Sequence, residues 1–218
     1  MEPAIKTQIL RHLWFTLGVI VTAFGIVLVT KGALGTTPIT SVVYVLSMRF
    51  TPTVGMFTFI MNALFVVAQA ILLRDDFEPY QWFQLGVAVL FSGVIDVGFF
   101  ILQWYQPQRL ALQLATVVVG SAVLGFGITI QIQPNVLVVP GEGITRALSI
   151  VTQKRFGTMK IILDTTLVTV GIILSFIFFG TLRGIGFGTL LAAILVGLFV
   201  NVYRKHFTWL SKIPSEPQ

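Results

Sequence analysis

Apolar residues run along the chain in six long blocks, at about 13–31, 53–73, 83–104, 110–132, 157–180 and 185–203, without the one-sided stripe of a soluble amphipathic helix. A hydrocarbon core about 30 Å thick is crossed by roughly 20 helical residues, so each block predicts a transmembrane helix. Two further segments, 37–50 and 140–152, offer only about 12 helical residues each, about 18 Å, too short to span unaided. Each opens on a proline, Pro38 or Pro140, whose missing N–H suits a first helical turn. They predict re-entrant half-helices, the first capped by Thr36 or Thr37 and the second carrying Glu142 in its opening turn. The fold expected is an all-α integral membrane protein with six transmembrane helices and two short re-entrant half-helices, forming a single transmembrane domain over 1–218.

The pattern is written twice. Sliding the sequence by 102 residues places Gly18 on Gly120, Phe24-Gly25-Ile26 on Phe126-Gly127-Ile128, Pro38 on Pro140, Leu46-Ser47 on Leu148-Ser149 and Gly55 on Gly157. Between residues 18 and 72 the register gives 13 identities in 55 positions, with Gly, Pro and Ser among them. The first repeat covers 13–104 and the second 110–205. With three spans in each, the second copy enters the membrane from the opposite side, which predicts a 3+3 inverted repeat. Irregular backbone at membrane depth is tolerated where protein or a water-filled cavity satisfies it, so two breaks at equivalent positions predict a shared cavity.

Composition and charge then narrow the function. Hydrophobic residues make up 56% of the 218 positions and charged ones 10%, and mean hydropathy is +0.93, values that exclude a soluble domain. The net charge of +6 would suggest nucleic acid in a soluble chain. Here the basic residues stand at block ends: the tails and even loops hold Lys6, Arg11, Arg74, Arg146, Lys154, Arg155, Arg204, Lys205 and Lys212, and the odd loops only Lys31, Arg49, Arg109 and Arg183. That bias predicts cytoplasmic termini, and no nucleic-acid partner is expected. No cysteine is present, which excludes disulfides and thiol chemistry. His12 and His206 belong to the tails, so neither a metal nor a cofactor is expected. The first block lacks a clear cleavage site and is expected to stay as the first span.

Ionisable groups at membrane depth are costly and mark pathways, so the few present are the candidate site. Glu142 has Arg146 four residues on, where an intrahelical pair is the competing explanation. Asp164 follows Lys160 at the same spacing, and its repeat equivalent is Asn62. Glu142, Arg146, Lys160 and Asp164 form a quartet without net charge that is expected to meet at one place. Asp96 stands mid-span without a charged neighbour at helical spacing; it is expected to face the cavity as a protonatable group, with a hydrogen bond inside the bundle as the alternative. Two facing half-helix N-termini would also favour an anion, with Thr36, Thr37, Thr40 and the backbone at Gly141 and Gly143 contacting it. Gln131 and Gln133 are candidates for a polar vestibule. The glycines of "RGIGFG", residues 183–188, suggest close packing rather than a nucleotide loop, since no strand precedes them.

"LGTTPITSVVYVLS", "PGEGITRALS" followed by "FGTMKIILD", and "GFGTLLAAILVG" resemble the YczE/YyaS/YitT group of bacterial integral membrane proteins. The resemblance spans about Trp14 to Tyr203, and it implies a bacterial inner-membrane protein with six spans and no catalytic residue to carry over. No nucleophile–base constellation is present, so an enzyme is not expected. The function expected is a small secondary transporter or channel-like permease for a small polar or anionic solute, coupled to a proton or cation at Glu142, Asp164 and Asp96. The alternatives are a substrate-binding membrane subunit of a multi-component importer and a non-transporting scaffold for a partner enzyme. Beyond lipid and the solute or ion, the expected partner is a second copy, since a bundle this small gains packed surface as a homodimer.

Overall fold

The computed structural model describes residues 2–206; Lys212, counted above with the basic tail, lies outside them. The chain folds into helices α1 (Glu2–Lys31), α2 (Ser41–Arg49), α3 (Val54–Leu73), α4 (Gln84–Ile101), α5 (Leu110–Ile132), α6 (Pro140–Thr152), α7 (Phe156–Phe179) and α8 (Phe187–His206). A 3₁₀ turn, Pro38–Thr40, leads into α2. Six of these, alone or with adjoining 3₁₀ turns, are long and apolar enough to cross a membrane: Thr7–Lys31, Val54–Asp76, Pro79–Ile101, Leu110–Ile132, Phe156–Phe179 and Phe187–His206. Their outward faces carry large exposed apolar side chains such as Leu64, Ile71, Phe100, Ile161 and Leu190, the surface a bilayer solvates. This is a multi-pass helical membrane protein.

α1 begins well before its apolar block, because residues read as a tail continue the helix. Arg11 explains the extension. Its buried guanidinium donates from Nε to the Pro134 carbonyl at 3.1 Å and from Nη2 to that of Asn135 at 3.2 Å, meeting carbonyls just beyond α5.

The centre of the bundle is α1 against α5. A Cβ on Gly18 would stand 2.5 Å from the Gln131 nitrogen, one on Gly25 2.5 Å from that of Leu124, and one on Gly120 2.5 Å from that of Val29, while Gly127 abuts Thr22. Contact positions rise on one helix as they fall on the other, so the two run antiparallel with their backbones nearly touching. The 102-residue register exchanges these contacts among themselves: Gly18 on Gln131 becomes Gly120 on Val29, and Gly25 on Leu124 becomes Gly127 on Thr22.

Around this axis each short helix packs against both long neighbours, α2 against α3 and α7, and α6 against the same two. α4 lies on α1 and α8 on α5, again as counterparts. The symmetry breaks at the outer pairs, where α3 and α4 pack closely and α7 and α8 scarcely touch. Asp96 accounts for the first contact. Its Oδ1 accepts from the Gly55 N–H at 2.8 Å and its Oδ2 from the Thr53 hydroxyl at 2.7 Å, while Thr53 accepts from the Met56 N–H at 3.1 Å. Asp96 therefore caps α3 and ties it to α4, which corrects the expectation that it faces a cavity. The equivalents of Thr53, Gly55 and Asp96 are Arg155, Gly157 and Leu198, and nothing lies within 4 Å of a Cβ on Gly157.

The "RGIGFG" glycines serve packing. The Gly188 N–H donates to the Leu34 carbonyl at 2.8 Å, and a Cβ on Gly186 would stand 2.8 Å from that oxygen.

Candidate functional site: a cavity between the short helices

A cavity of about 560 Å³ lies where the two short helices begin. Residues 37–40 line one side and 139–142 the other, and a side chain on Gly141 would collide with Ile39, so the two openings face each other. Pro38 and Pro140 both occupy the first helical turn, as their sequence positions predict. The lining repeats with the chain: Thr40, Thr58 and Asn62 are the equivalents of Glu142, Lys160 and Asp164, and all six line the cavity. Thr22 with Leu124, Ile26 with Ile128, and Phe91 with Ala193 add further equivalent pairs.

The charges sit on one half. On α7, Lys160 Nζ lies 2.7 Å from Asp164 Oδ1. Glu142, partly buried in the opening turn of α6, has no hydrogen-bond or ion-pair partner for its carboxylate among the described residues, although Lys160 is within Coulombic reach. Arg146 is exposed and does not line the cavity, so the expected quartet is a trio. The physical reason is rotation with reach. α6 buries Pro140, Gly141, Gly143, Ile144, Thr145 and Ala147, residue 146 projects from the opposite side of the helix, and its long side chain carries its head outward. Lys160 and Asp164 pair with each other, which leaves the Glu142 carboxyl as the acid of this cavity without an ion-pair partner among the described residues.

The threonines form a connected cluster. Thr30 and Thr36 hydroxyls are 2.7 Å apart, Thr36 and Thr40 2.8 Å, and Thr37 and Thr40 2.7 Å. Thr37 stands at the N-cap position, yet its hydroxyl meets Thr40 rather than capping the backbone. Thr37 and Thr40 line the cavity, whereas Thr36 lies one layer behind, its N–H donating to Thr189 Oγ1 at 3.2 Å. Thr36 is thus a support rather than a contact.

Gly143 is a second support. It abuts the Gln69 amide and is absent from the lining, while Gly141 is part of it. The N–H groups of Glu142 and Gly143 already donate to the Val139 carbonyl at 3.0 and 2.9 Å, so the α6 N-terminus offers few free donors to an anion. Sequence reasoning missed what anchors that turn. Gln69 and Gln84 exchange two hydrogen bonds of 3.1 Å, and Gln69 Nε2 also donates to the Pro140 carbonyl at 3.3 Å. The available signal was an amide inside or beside an apolar block, where an unpaired polar group is costly. Gln131 does reach the cavity, accepting from the Thr22 hydroxyl at 3.2 Å, whereas Gln133 is not among its lining residues.

Fold and cavity together define a helical, multi-pass membrane protein with a charged site between two broken segments. Residues 9–205 match DUF6198, a family of unknown function, and the chain belongs to that family. It is similar to YyaS of Bacillus subtilis (strain 168), 26% identical over 206 residues that cover 91% of this chain and 96% of YyaS. It is also similar to the membrane protein YczE of the same organism, 28% identical over 200 residues covering 88% and 85% of the two chains. Both names agree with the resemblance read from the motifs. No solved structure matches the chain.

Proposed function

We propose that the protein is a small secondary transporter of the bacterial cytoplasmic membrane, with both termini inside, whose solute and coupling ion occupy the cavity between the short helices. The observation that carries this reading is the repetition of the lining: equivalent positions of both copies converge on one cavity, and the acid of one copy is left without a partner there. In a 3+3 inverted repeat the two copies are related by an axis in the membrane plane, and the antiparallel, self-exchanging α1–α5 contact is what such an axis requires. The short helices are then re-entrant, each entering and leaving on a single face, with the two on opposite faces of the membrane. Alternating access follows from rocking one half against the other around the cavity, with Glu142 taking up the proton or cation that couples the cycle.

Two experiments test it. Cysteines introduced at Arg49 and Lys154 should react with a membrane-impermeant maleimide from opposite sides; labelling from one side overturns the inverted repeat. Protein reconstituted alone in liposomes should carry solute down an imposed ion gradient, and Glu142→Gln should abolish it. A parent protein without flux for any solute of a broad panel sinks the transporter reading and favours a partner-dependent role.

A further inference from the structure

The substrate class follows from the mismatch between the lining and its charge, and the inference rests on the solute-binding reading of the same cavity. Most of the wall is apolar, with Met61, Phe65, Phe91 and Val196 among its members. Its volume of about 560 Å³ falls in the range of small-molecule sites, roughly 300–1,000 Å³. A small inorganic cation prefers a shell of several oxygens, and among the described residues no group of three or more His, Asp or Glu side chains is placed to supply one. Besides Glu142, the charged groups of the lining are one mutually paired couple, and its other polar members are neutral hydroxyls and amides. α7 brings the mutually paired Lys160 and Asp164, α3 brings Asn62, and the 3₁₀ turn brings Thr40, while Arg146 on its own helix is turned away.

Access points the same way. α7 and α8 scarcely touch, and exposed residues of both, Ile161 and Thr165 on one and Ala193 and Gly197 on the other, belong to the lining. The cavity is therefore open sideways, toward the lipid-facing surface. A ligand arriving by that route must tolerate hydrocarbon. One that also meets an unpartnered carboxylate beside phenylalanine rings carries positive charge.

We propose that the cavity binds a lipophilic monovalent cation, admitted from the bilayer between α7 and α8, with the Glu142 carboxylate as its counter-ion. The probe is radiolabelled tetraphenylphosphonium, in equilibrium dialysis against the detergent-purified full chain. The parent should bind it saturably and discriminate it from triphenylphosphine oxide, an uncharged triaryl analogue. Glu142→Gln should weaken binding by about tenfold or more, and Glu142→Asp, which keeps the charge, should retain it. Equal binding of the neutral analogue, no saturable binding by the parent, or undiminished binding by a folded Glu142→Gln protein each overturns the proposal. Should the Gln variant not fold, the comparison of charged and neutral probes on the parent still decides. Failure here with Glu142-dependent liposome flux of a hydrophilic solute removes the cation class and leaves the transporter standing, whereas failure with no flux for any solute removes both.

Discussion

The two halves of this chain place the same positions around one cavity and fill them differently. In the first half the triad is Thr40, Thr58 and Asn62, all neutral, and its outer helices are fastened by Asp96. In the second the triad is Glu142, Lys160 and Asp164, and Leu198 stands where the fastening acid would be. Positions matched at an offset of 102 residues line the cavity from both sides, and the differences between them account for where its ionisable groups and its side opening lie. One copy has become the closed wall, and the other holds the chemistry.

The comparison is broken most severely by moving the charge. Glu142→Gln removes the cavity acid that has no ion-pair partner among the described residues, and a loss on the order of 2–5 kcal/mol of cation affinity is expected from unpairing a buried ligand charge, read by dialysis or flux. Transferring the acid across the pseudo-axis, as Thr40→Glu with Glu142→Thr, should restore much of that affinity, because both positions line the same cavity; a double variant as weak as Glu142→Gln would mean that the halves are not interchangeable.

Making the first half resemble the second should cost less. Asp96→Leu removes both acceptors from Thr53 and Gly55, and a loss of about 2 kcal/mol is expected, seen as a lower melting temperature in detergent. The reverse exchange, Arg155→Thr with Leu198→Asp, should draw α8 onto the start of α7. In a Gly197→Cys background it should slow labelling by a lipid-soluble maleimide. The smallest effect is expected for Lys160→Met. Its ion pair with Asp164 is partly exposed, so stability should change by under about 1 kcal/mol, while cation affinity rises because a positive charge has left the cavity.

Much of this is legible in the sequence. Block length set the spans to within a few residues except at the start of α1, and Pro38 and Pro140 marked the short helices because a missing N–H is harmless only in a first turn. The 102-residue register matched Asn62 to Asp164, and both line the cavity. The failures involve partners distant in sequence. Asp96 bonds residues more than forty positions away, Arg11 reaches carbonyls beyond α5, and Gln69 braces the Pro140 turn, none of which helical spacing reveals. Arg146 failed for another reason: a spacing of four permits a pair on an isolated helix, but tertiary packing decided which side of residue 146 met the cavity.

The glycine seam between α1 and α5 also bears on how the molecule is made. Gly18 and Gly25 are matched to backbone that is synthesised only when the second half emerges, so in the nascent first half this face of α1 has lipid or the insertion machinery for a neighbour. The Asp96 clasp, by contrast, uses only residues of the first half and is available as soon as α4 has entered. Biogenesis then proceeds from a self-fastened first module to a late docking along α1. In that order, Glu142 reaches the membrane only after the wall it faces is in place.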